Sequence, residues 1–252
     1  MAKMTLFTIP QSPYCEKARW ALDLSGREYR EQRYPVLFHR GPVRAAGGGK
    51  TVPFLVLENG KTLDDSDDIL KWVNEQLKPE DKIFPEDAVT GPLVRDFCVR
   101  VERDFAPEVV RFFYHPLSSD QFFRVFTAGS DHSQIQKFKY IAWAVRLGFN
   151  WQAKINNDGF KTAVKRIGKF YETVDHLLSD GRKYLFCDRI TAADIVFCTF
   201  AANTILVPEF GGSSILLDEC PPAIAMHVAG FRKSKVGFYV QAIYKRFRNY
   251  RF

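Results

Sequence analysis

The first 78 residues alternate short strand-like segments with helical ones, and this order limits the folds open to the chain. Met4–Ile9 is rich in residues that favour strands. A helix should begin at Ser12-Pro13 and end before Gly26, because proline suits the first helical position and glycine the position just after a helix. A second strand is predicted at Glu28–Tyr34. A strand–helix–strand order is typical of two parallel strands joined by a crossover helix.

The residues that follow predict an irregular connection and then a hairpin. Two prolines and the run Gly47-Gly48-Gly49 disfavour regular structure over residues 35–50. Val52–Leu57 is a continuous apolar strand, and Asn59-Gly60 is a strong signal for a tight turn into a returning strand at Lys61–Asp64. Ser66 should then cap a helix, since apolar residues recur after it at helical spacing. The complete pattern is a thioredoxin-like layout.

Beyond residue 78 the periodicity becomes helical. Residues 79–91 are polar, contain two prolines and are predicted to form a linker. Helices are predicted at 93–113, 134–150, 160–179, 191–206 and 221–248, with loops at 115–133 and 208–220. The clearest helix start is Thr191-Ala192-Ala193-Asp194, a capping-box variant. The predicted fold class is an α/β thioredoxin-like domain at 1–78, a linker at 79–91 and an all-α domain at 92–252.

Composition indicates a protein of a reducing compartment that needs no metal. The five cysteines are odd in number and scattered, with no C-x-x-C pair, which favours a cytoplasmic protein over a disulfide-linked secreted one. No Cys or His residues share a metal-ligand spacing. No apolar run reaches the roughly 18 residues of a membrane span. A strand that begins at Met4 leaves no room for a signal peptide, although a transit peptide removed beforehand would leave no trace.

The net charge of +7 comes from one end of the chain. Residues 232–252 hold seven of the 36 basic residues and no acidic one, so the other 29 basic residues balance the 29 acidic ones. Such a segment could bind nucleic acid or anionic lipid. Tyr239, Ile243 and Phe247 recur within it at helical spacing, which favours a packed helix with a solvated positive face. We therefore expect no nucleic-acid partner and no stable membrane insertion.

Three short segments carry residues suited to chemistry: Ser12-Pro13-Tyr14-Cys15, Thr51-Val52-Pro53-Phe54 and Asp65-Ser66. Taken singly, each has a plain structural explanation, as a helix start, an edge strand and a helix cap. In this order and within this pattern, they resemble the N-terminal domain of the cytosolic glutathione transferases. The Thr191–Asp194 capping box is also typical of that family, so the resemblance extends over the whole chain and is strongest in its first third.

The resemblance implies a role for each segment. Ser12 would lie beside the sulfur of glutathione and activate its thiol. Pro53 matches the family's cis-proline, so the backbone of Val52 would pair with the peptide of glutathione. Asp65 and Ser66 would hold the γ-glutamyl end.

Other residues are candidates for further substrate contacts. In the family the crossover often contacts the glycyl carboxylate of glutathione, and His39, Arg40 and Lys50 are available for this, although a solvated surface explains them equally well. Tyr14 and the run Phe112-Phe113-Tyr114 are candidates for the walls of a pocket for a hydrophobic electrophile, although aromatic residues at such spacing are more often core. The resemblance also implies a homodimer with glutathione as its co-substrate.

The serine at position 12 limits the reactions that such a site can catalyse. A thiol has a pKa near 8.5, and a serine hydroxyl together with the positive end of a helix can stabilise the thiolate. Relatives with cysteine at this position act as thiol reductases through a mixed disulfide, which Ser12 cannot form. Relatives that use a tyrosine carry it on the first strand, where this chain has Phe7. Conjugation to an electrophile, or reduction of a peroxide, remains.

Three alternatives stay open. Cys15 matches the second cysteine of the family's redox motifs and could support a thiol reductase, although a buried structural role is more common for a free cysteine. A non-catalytic relative could use the same site to bind glutathione or a hydrophobic ligand. A membrane-inserting relative could use the basic C-terminal segment.

Overall fold

The computed structural model describes residues 3–248. The first part of the chain forms a four-stranded sheet packed with helices. Its elements, in chain order, are β1 Met4–Thr8, α1 Pro13–Leu24, β2 Tyr29–Arg33, α2 Arg40–Ala45, β3 Phe54–Val56, β4 Thr62–Leu63 and α3 Ser66–Gln76. The four predicted strands and the two predicted helices are present, and each strand is shorter than predicted.

The sheet has the order β2-β1-β3-β4. β1 and β2 are parallel, as expected for strands joined by the crossover helix α1. β3 is antiparallel to both β1 and β4, and its register places Phe54 opposite Phe7 and Leu55 opposite Leu63. The crossover followed by a hairpin and a helix confirms the predicted thioredoxin-like layout.

The prediction of irregular backbone over residues 35–50 is wrong for Arg40–Ala45, which form α2. Val43 on this short helix is fully buried and packs with Phe7 and Phe54. Packing of an apolar side chain stabilises a helix that is too short and too rich in glycine and proline to form alone. The local sequence therefore gives no signal for it.

The rest of the described chain is mainly helical. It contains α4 Thr90–Arg100, α5 Ala106–Tyr114, α6 Ser119–Thr127, α7 His132–Gln152, α8 Asn157–Leu177, α9 Ala192–Ile205, α10 Pro222–Lys233 and α11 Lys235–Phe247. A π-helical turn, Val101–Phe105, joins α4 to α5, and a short 3-10 helix, Pro79–Asp81, precedes α4. The predicted combination of a small mixed sheet and a helical region is confirmed.

Two predictions for the helical region are wrong. The loop predicted at 115–133 contains α6, whose buried residues Phe122, Val125 and Phe126 recur at helical spacing. The single helix predicted at 221–248 is broken at Ser234, whose hydroxyl oxygen accepts a hydrogen bond from the Gly237 N–H at 3.0 Å and caps α11.

Helix α9 is buried along its whole length, as is typical of a helix in a protein core. The predicted capping box is present at its start. The Asp194 carboxylate accepts hydrogen bonds from the Thr191 N–H at 2.6 Å and the Leu185 N–H at 2.8 Å, and the Tyr239 hydroxyl also donates to it. Burial raises the pKa of Asp194. The capping box thus also connects α9 to α11.

Contacts between residues divide the chain into two compact units. Of the described residues, the first contains those up to Lys82 together with Asp120–Trp143 and Gly211–Ser213. The second contains Ile83–Ser119, Ala144–Phe210 and the described residues from Ser214 to Arg248. The predicted boundaries at residues 78 and 91 stay a prediction. Within residues 3–248, no helix is both long and apolar enough to cross a membrane.

Candidate functional site

The three chemistry-bearing segments lie at one edge of the sheet. β1 ends at Thr8 and leads to Ser12, while β3 begins opposite Phe7. Because β3 is antiparallel to β1, the Val52-Pro53 bond just before it lies at the edge where β1 ends. β4 is antiparallel to β3 and leads to Asp65 at that same edge. All three segments belong to the first compact unit.

Ser12 is the N-cap of α1, and Pro13 is its first helical residue, as predicted. The Ser12 hydroxyl oxygen accepts a hydrogen bond from the Cys15 N–H at 3.4 Å, and the residue is 8% exposed. The N–H groups at the start of a helix carry partial positive charge. A hydroxyl and a helix N-terminus therefore occur together here, and both favour a nearby anion.

Cys15 lies one turn into α1 and is completely buried. Burial raises the pKa of its thiol to about 11, so the thiol is protonated at neutral pH. The thiolate, rather than the thiol, is the nucleophile in disulfide exchange. The position of Cys15 therefore counts against a redox role.

The Val52-Pro53 peptide bond is cis. Pro53 is buried, and Val52 packs against the cluster formed by Phe7, Val43 and Phe54. Within residues 3–248, the backbone N–H and C=O of Val52 form no hydrogen bond. They are therefore available to an extended, peptide-like ligand, which pairs through its own N–H and C=O groups.

The N-terminus of α3 carries the Asp65-Ser66 pair, and the prediction that Ser66 caps this helix is wrong. Asp65 is the N-cap, because its carboxylate accepts a hydrogen bond from the Asp67 N–H at 2.7 Å. Ser66 is the first helical residue and is 3% exposed, and its hydroxyl lies 3.5 Å from the Asp65 carboxylate. Lys17 on α1 contacts Asp67 at 2.5 Å, which fixes α3 to α1.

The crossover residues differ in their surroundings. His39 is 5% exposed and its Nε2 hydrogen-bonds to the Lys50 carbonyl oxygen at 3.0 Å. Burial lowers the pKa of His39, so its ring is neutral at physiological pH and donates from Nε2. Arg40 and Lys50 have exposed side chains. His39 is thus suited to hold the backbone at Lys50, and the two exposed cations are better placed for a carboxylate.

The aromatic candidates separate into one exposed residue and a buried group. Tyr14 is 38% exposed, and the Lys17 ammonium lies 5.7 Å from its ring centroid. Phe112 and Phe113 on α5 are completely buried, and the ring of Phe112 stacks on Phe160 in the second unit. Both residues therefore occupy core positions and not the pocket walls that the sequence suggested. Tyr114, 5% exposed, is buried with them.

Comparisons with known proteins agree with this arrangement. Residues 6–80 match the family model described as glutathione S-transferase, N-terminal domain. A probable glutathione S-transferase from Solanum tuberosum is 28% identical over 108 residues, which cover 40% of this chain and 46% of the relative. The chain thus spans about half the length of the curated relative that it matches.

Solved structures resemble the chain over almost its whole length. A glutathione S-transferase from Ceriporiopsis subvermispora in complex with glutathione has a TM-score of 0.65 at 15% identity and covers 99% of both chains. A β-etherase from Sphingobium sp. has a TM-score of 0.59 at 14% identity, covering 96% of this chain and 100% of its own. A glutathione S-transferase from Rhodospirillum rubrum has a TM-score of 0.57 at 17% identity, covering 94% and 91%. The chain has the glutathione S-transferase fold.

In this glutathione S-transferase fold, a buried ionic network that the sequence did not reveal lies beside the edge. Arg19 on α1 donates from Nε to Glu31 on β2 at 2.7 Å and lies 3.3 Å from Glu16. Glu31 also accepts hydrogen bonds from the Thr8 hydroxyl at 2.6 Å and from Arg33 at 3.0 Å. The one local signal is the pair Glu16 and Arg19, three residues apart, which reads equally well as an exposed helix pair.

The same network fixes a distant segment of the chain. Glu16 accepts a hydrogen bond from the Gly211 N–H at 3.0 Å, and Arg33 donates to the Gly211 carbonyl oxygen at 2.9 Å. Residues 211–213 therefore belong to the first unit of the glutathione S-transferase fold although they are far from it in sequence. Among the described residues, no group of three or more His, Cys, Asp or Glu side chains is placed to hold a metal ion.

Proposed function

We propose that the protein is a glutathione transferase that binds reduced glutathione at the sheet edge formed by Ser12, Val52-Pro53 and Asp65-Ser66. The observation that carries this proposal is the arrival of three separate segments at one edge of the first unit. The family match over residues 6–80 supports it. So do the structural relatives from Ceriporiopsis subvermispora and Methylobacterium radiotolerans, which were solved with glutathione and glutathione sulfonate.

Each end of glutathione has a chemical counterpart at the edge. The N-terminus of α3 offers N–H groups to the γ-glutamyl carboxylate, and the exposed Asp65 carboxylate offers an ion pair to its ammonium. The unpaired backbone of Val52 suits the peptide of the cysteinyl residue. Arg40 or Lys50 would meet the glycyl carboxylate, with His39 positioning Lys50.

Ser12 activates the thiol in this proposal. Lowering a thiol pKa by about two units requires roughly 2.7 kcal/mol of preferential stabilisation of the thiolate. One hydrogen bond to a charged group contributes about 1.5–3 kcal/mol, and a helix N-terminus adds about 0.3–1 kcal/mol. Together they contribute about 2–4 kcal/mol, a range that includes this requirement. The thiolate would then attack a hydrophobic electrophile or a peroxide, with the exposed Tyr14 as a neighbouring contact.

A non-catalytic glutathione-binding protein is the second candidate. The 8% exposure of Ser12 favours it, since a nearly buried residue offers little room to a bound sulfur. A thiol reductase that uses Cys15 is disfavoured by the burial and raised pKa of that thiol. From the family resemblance, we further propose a cytoplasmic homodimer.

A substitution of Ser12 distinguishes these candidate functions. We expect Ser12→Ala to bind glutathione, to raise the pKa of the bound thiol and to slow conjugation to an aryl halide on the order of 10²–10³-fold, because one donor to a developing anion is lost. Ultraviolet absorbance of the thiolate against pH gives the pKa, and a conjugation assay gives the rate.

The matched control is Cys15→Ser, which changes the neighbouring thiol but leaves the hydroxyl in place. Its conjugation rate should stay close to that of the unmodified protein. Glutathione binding without turnover in the unmodified protein would favour the non-catalytic candidate. Loss of turnover in Cys15→Ser together with full activity of Ser12→Ala would overturn the role of Ser12.

A further inference from the structure

The turn between β1 and α1 carries Ser12 and fixes it only loosely. The Ser12 N–H donates to the Ile9 carbonyl oxygen at 3.4 Å, and the Cys15 N–H donates to the Ser12 hydroxyl oxygen at 3.4 Å. Both distances exceed the range of about 2.7–3.2 Å that is usual for N–H···O hydrogen bonds. The direction of the Ser12 hydroxyl is therefore weakly determined by the turn itself.

Residues 211–213 form a strap that contacts this turn. The Ser213 N–H donates to the Pro10 carbonyl oxygen at 2.9 Å, two residues before Ser12. The strap and the turn belong to the same compact unit. Because this hydrogen bond is shorter than the two that Ser12 forms through its N–H and its hydroxyl, the strap restrains the turn more firmly than those local bonds do.

Two charged side chains hold the strap at Gly211. Oε1 of Glu16 accepts a hydrogen bond from the Gly211 N–H at 3.0 Å, and the Arg33 guanidinium donates to the Gly211 carbonyl oxygen at 2.9 Å. Hydrogen bonds to a charged group are stronger than those between neutral groups. Since residues 211–213 belong to no helix or strand, these bonds determine where the strap lies.

Glu16 connects the strap to the helix that Ser12 caps. It lies on α1, one turn after Ser12, and its N–H donates to the Ser12 carbonyl oxygen at 3.0 Å. Its side chain is completely buried, with Oε2 3.3 Å from Arg19 and Oε1 on Gly211. A side chain held by packing and by hydrogen bonds on both oxygens is suited to fix the geometry of a neighbouring site.

A second buried glutamate shows what a purely structural ion pair looks like in this protein. Glu108 on α5 is 2% exposed and contacts Arg111, three residues on, and Arg166, each at 2.8 Å. Glu16 has the same spacing to Arg19. Its other oxygen, however, binds backbone 195 residues away, in the strap that contacts the Ser12 turn.

We propose that Glu16 is a positioning residue for Ser12. By anchoring the strap, it keeps the Pro10–Ser12 turn in the conformation in which the Ser12 hydroxyl meets the thiolate of glutathione. The inference rests on the proposed function, because the position of the hydroxyl matters only where Ser12 stabilises that thiolate. Glu16 itself does not touch glutathione and acts through Gly211, Ser213 and Pro10.

The first variant is Glu16→Gln in the full chain, assayed with glutathione and an aryl halide. Glutamine has one acceptor oxygen for the two donors Arg19 and Gly211, so one contact is lost. We expect kcat to fall about tenfold, since a small displacement of a reacting group is costly. The KM for glutathione should stay unchanged and the pKa of the bound thiol should rise, as measured by ultraviolet absorbance against pH.

The second variant, Ser213→Pro, removes the N–H that reaches Pro10 and leaves the ionic network in place. It should change kcat and the thiol pKa in the same direction as Glu16→Gln. The double variant should be no slower than the slower single one, because both substitutions break the same connection.

The matched control is Glu108→Gln, which weakens a comparable buried ion pair in the second unit. It should lower the melting temperature and leave kcat and the thiol pKa unchanged. In Glu16→Gln, Arg19 retains Glu31 at 2.7 Å as a charged partner, so we expect this variant to fold. Circular dichroism checks all the variants, and Ser213→Pro tests the strap without changing a buried charge.

Ser12→Ala serves as the reference and separates two kinds of failure. If it slows turnover and raises the thiol pKa while Glu16→Gln and Ser213→Pro change neither, the positioning role is overturned and the proposed function stands. An equal loss of kcat in Glu108→Gln and Glu16→Gln would reduce Glu16 to a contribution to stability. If Ser12→Ala itself changes neither quantity, the proposed function fails and the role of Glu16 fails with it.

Discussion

Glu31 on β2 shows how much depends on a single buried side chain. It is 16% exposed and contacts Arg19, Arg33 and the Thr8 hydroxyl. Burial alone would raise its pKa, but the guanidinium groups of Arg19 and Arg33 outweigh burial and hold the pKa of Glu31 below its usual value. The charged form is therefore the stabilising one.

We predict that Glu31→Gln destabilises the protein by about 3 kcal/mol at neutral pH, because it leaves the buried Arg19 with a weaker set of partners. The folded pKa of Glu31 is lower than the unfolded one. Its stabilisation is therefore complete above the unfolded pKa and is lost as the pH falls through the folded pKa. The difference between variant and unmodified protein should shrink in acid.

Urea unfolding at neutral pH and at acidic pH measures this difference. Glu28→Gln is the control, because Glu28 pairs with Lys3 on the surface, where a salt bridge contributes little. A difference for Glu31→Gln that does not change with pH would show that the lost hydrogen bonds, rather than the charge, carry the effect.

The structural roles of residues with local signals could be predicted from the sequence, whereas the roles of residues with distant partners could not. Ser12 follows a strand and precedes a proline, so its capping position could be predicted. The cis bond at Pro53 followed from the family resemblance. Glu31 could not be assigned to a network, because its partner Arg19 lies 12 residues away and the contact depends on how α1 packs on β2.

At the scale of elements, the break between α10 and α11 shows which local signals are sufficient to predict where a helix ends. Ser234 is a good N-cap, but the apolar spacing of residues 221–248 continues through it. The backbone folds back so closely that a Cβ on Gly237 would lie 2.0 Å from the Phe231 carbonyl oxygen. The helix break therefore depends on a glycine whose importance is visible only in three dimensions.

We predict that Gly237→Ala destabilises the protein by about 1–3 kcal/mol, since the new methyl group must displace backbone atoms. Gly230→Ala on α10 is the matched control, because a Cβ there meets nothing within 4 Å. It should be neutral or stabilising, by up to about 1 kcal/mol, through helix propensity. Thermal unfolding of the two variants measures both effects, and equal melting temperatures would refute the close approach.

At the scale of the whole molecule, the least could be predicted from the sequence. The small sheet followed by helices could be predicted from periodicity, whereas the inclusion of residues 120–143 and 211–213 in the first unit could not. Those segments join it through contacts such as Phe38 with Phe138 and Arg33 with Gly211. The exposure of large apolar side chains on α7 likewise could not be predicted, because it depends on how the chain packs.

Four of those side chains lie along one face of α7. Tyr140, Trp143, Leu147 and Trp151 are 80%, 71%, 65% and 84% exposed, and their spacing of three or four residues places them on a single stripe. Exposed aromatic stripes of this kind mark protein–protein contacts. We expect this face to contact a second copy of the chain in the homodimer that the family resemblance implies.

Light scattering at micromolar concentration should therefore give a mass near twice the 29.0 kDa of one chain. Leu147→Glu should shift the protein toward the monomer, because a carboxylate would be buried without a partner in the middle of the stripe. Met226→Glu is the control, as Met226 on α10 is also 78% exposed but stands outside the stripe. A monomeric mass for the unmodified chain would refute the dimer. A dimer that survives Leu147→Glu as well as Met226→Glu would place the contact elsewhere.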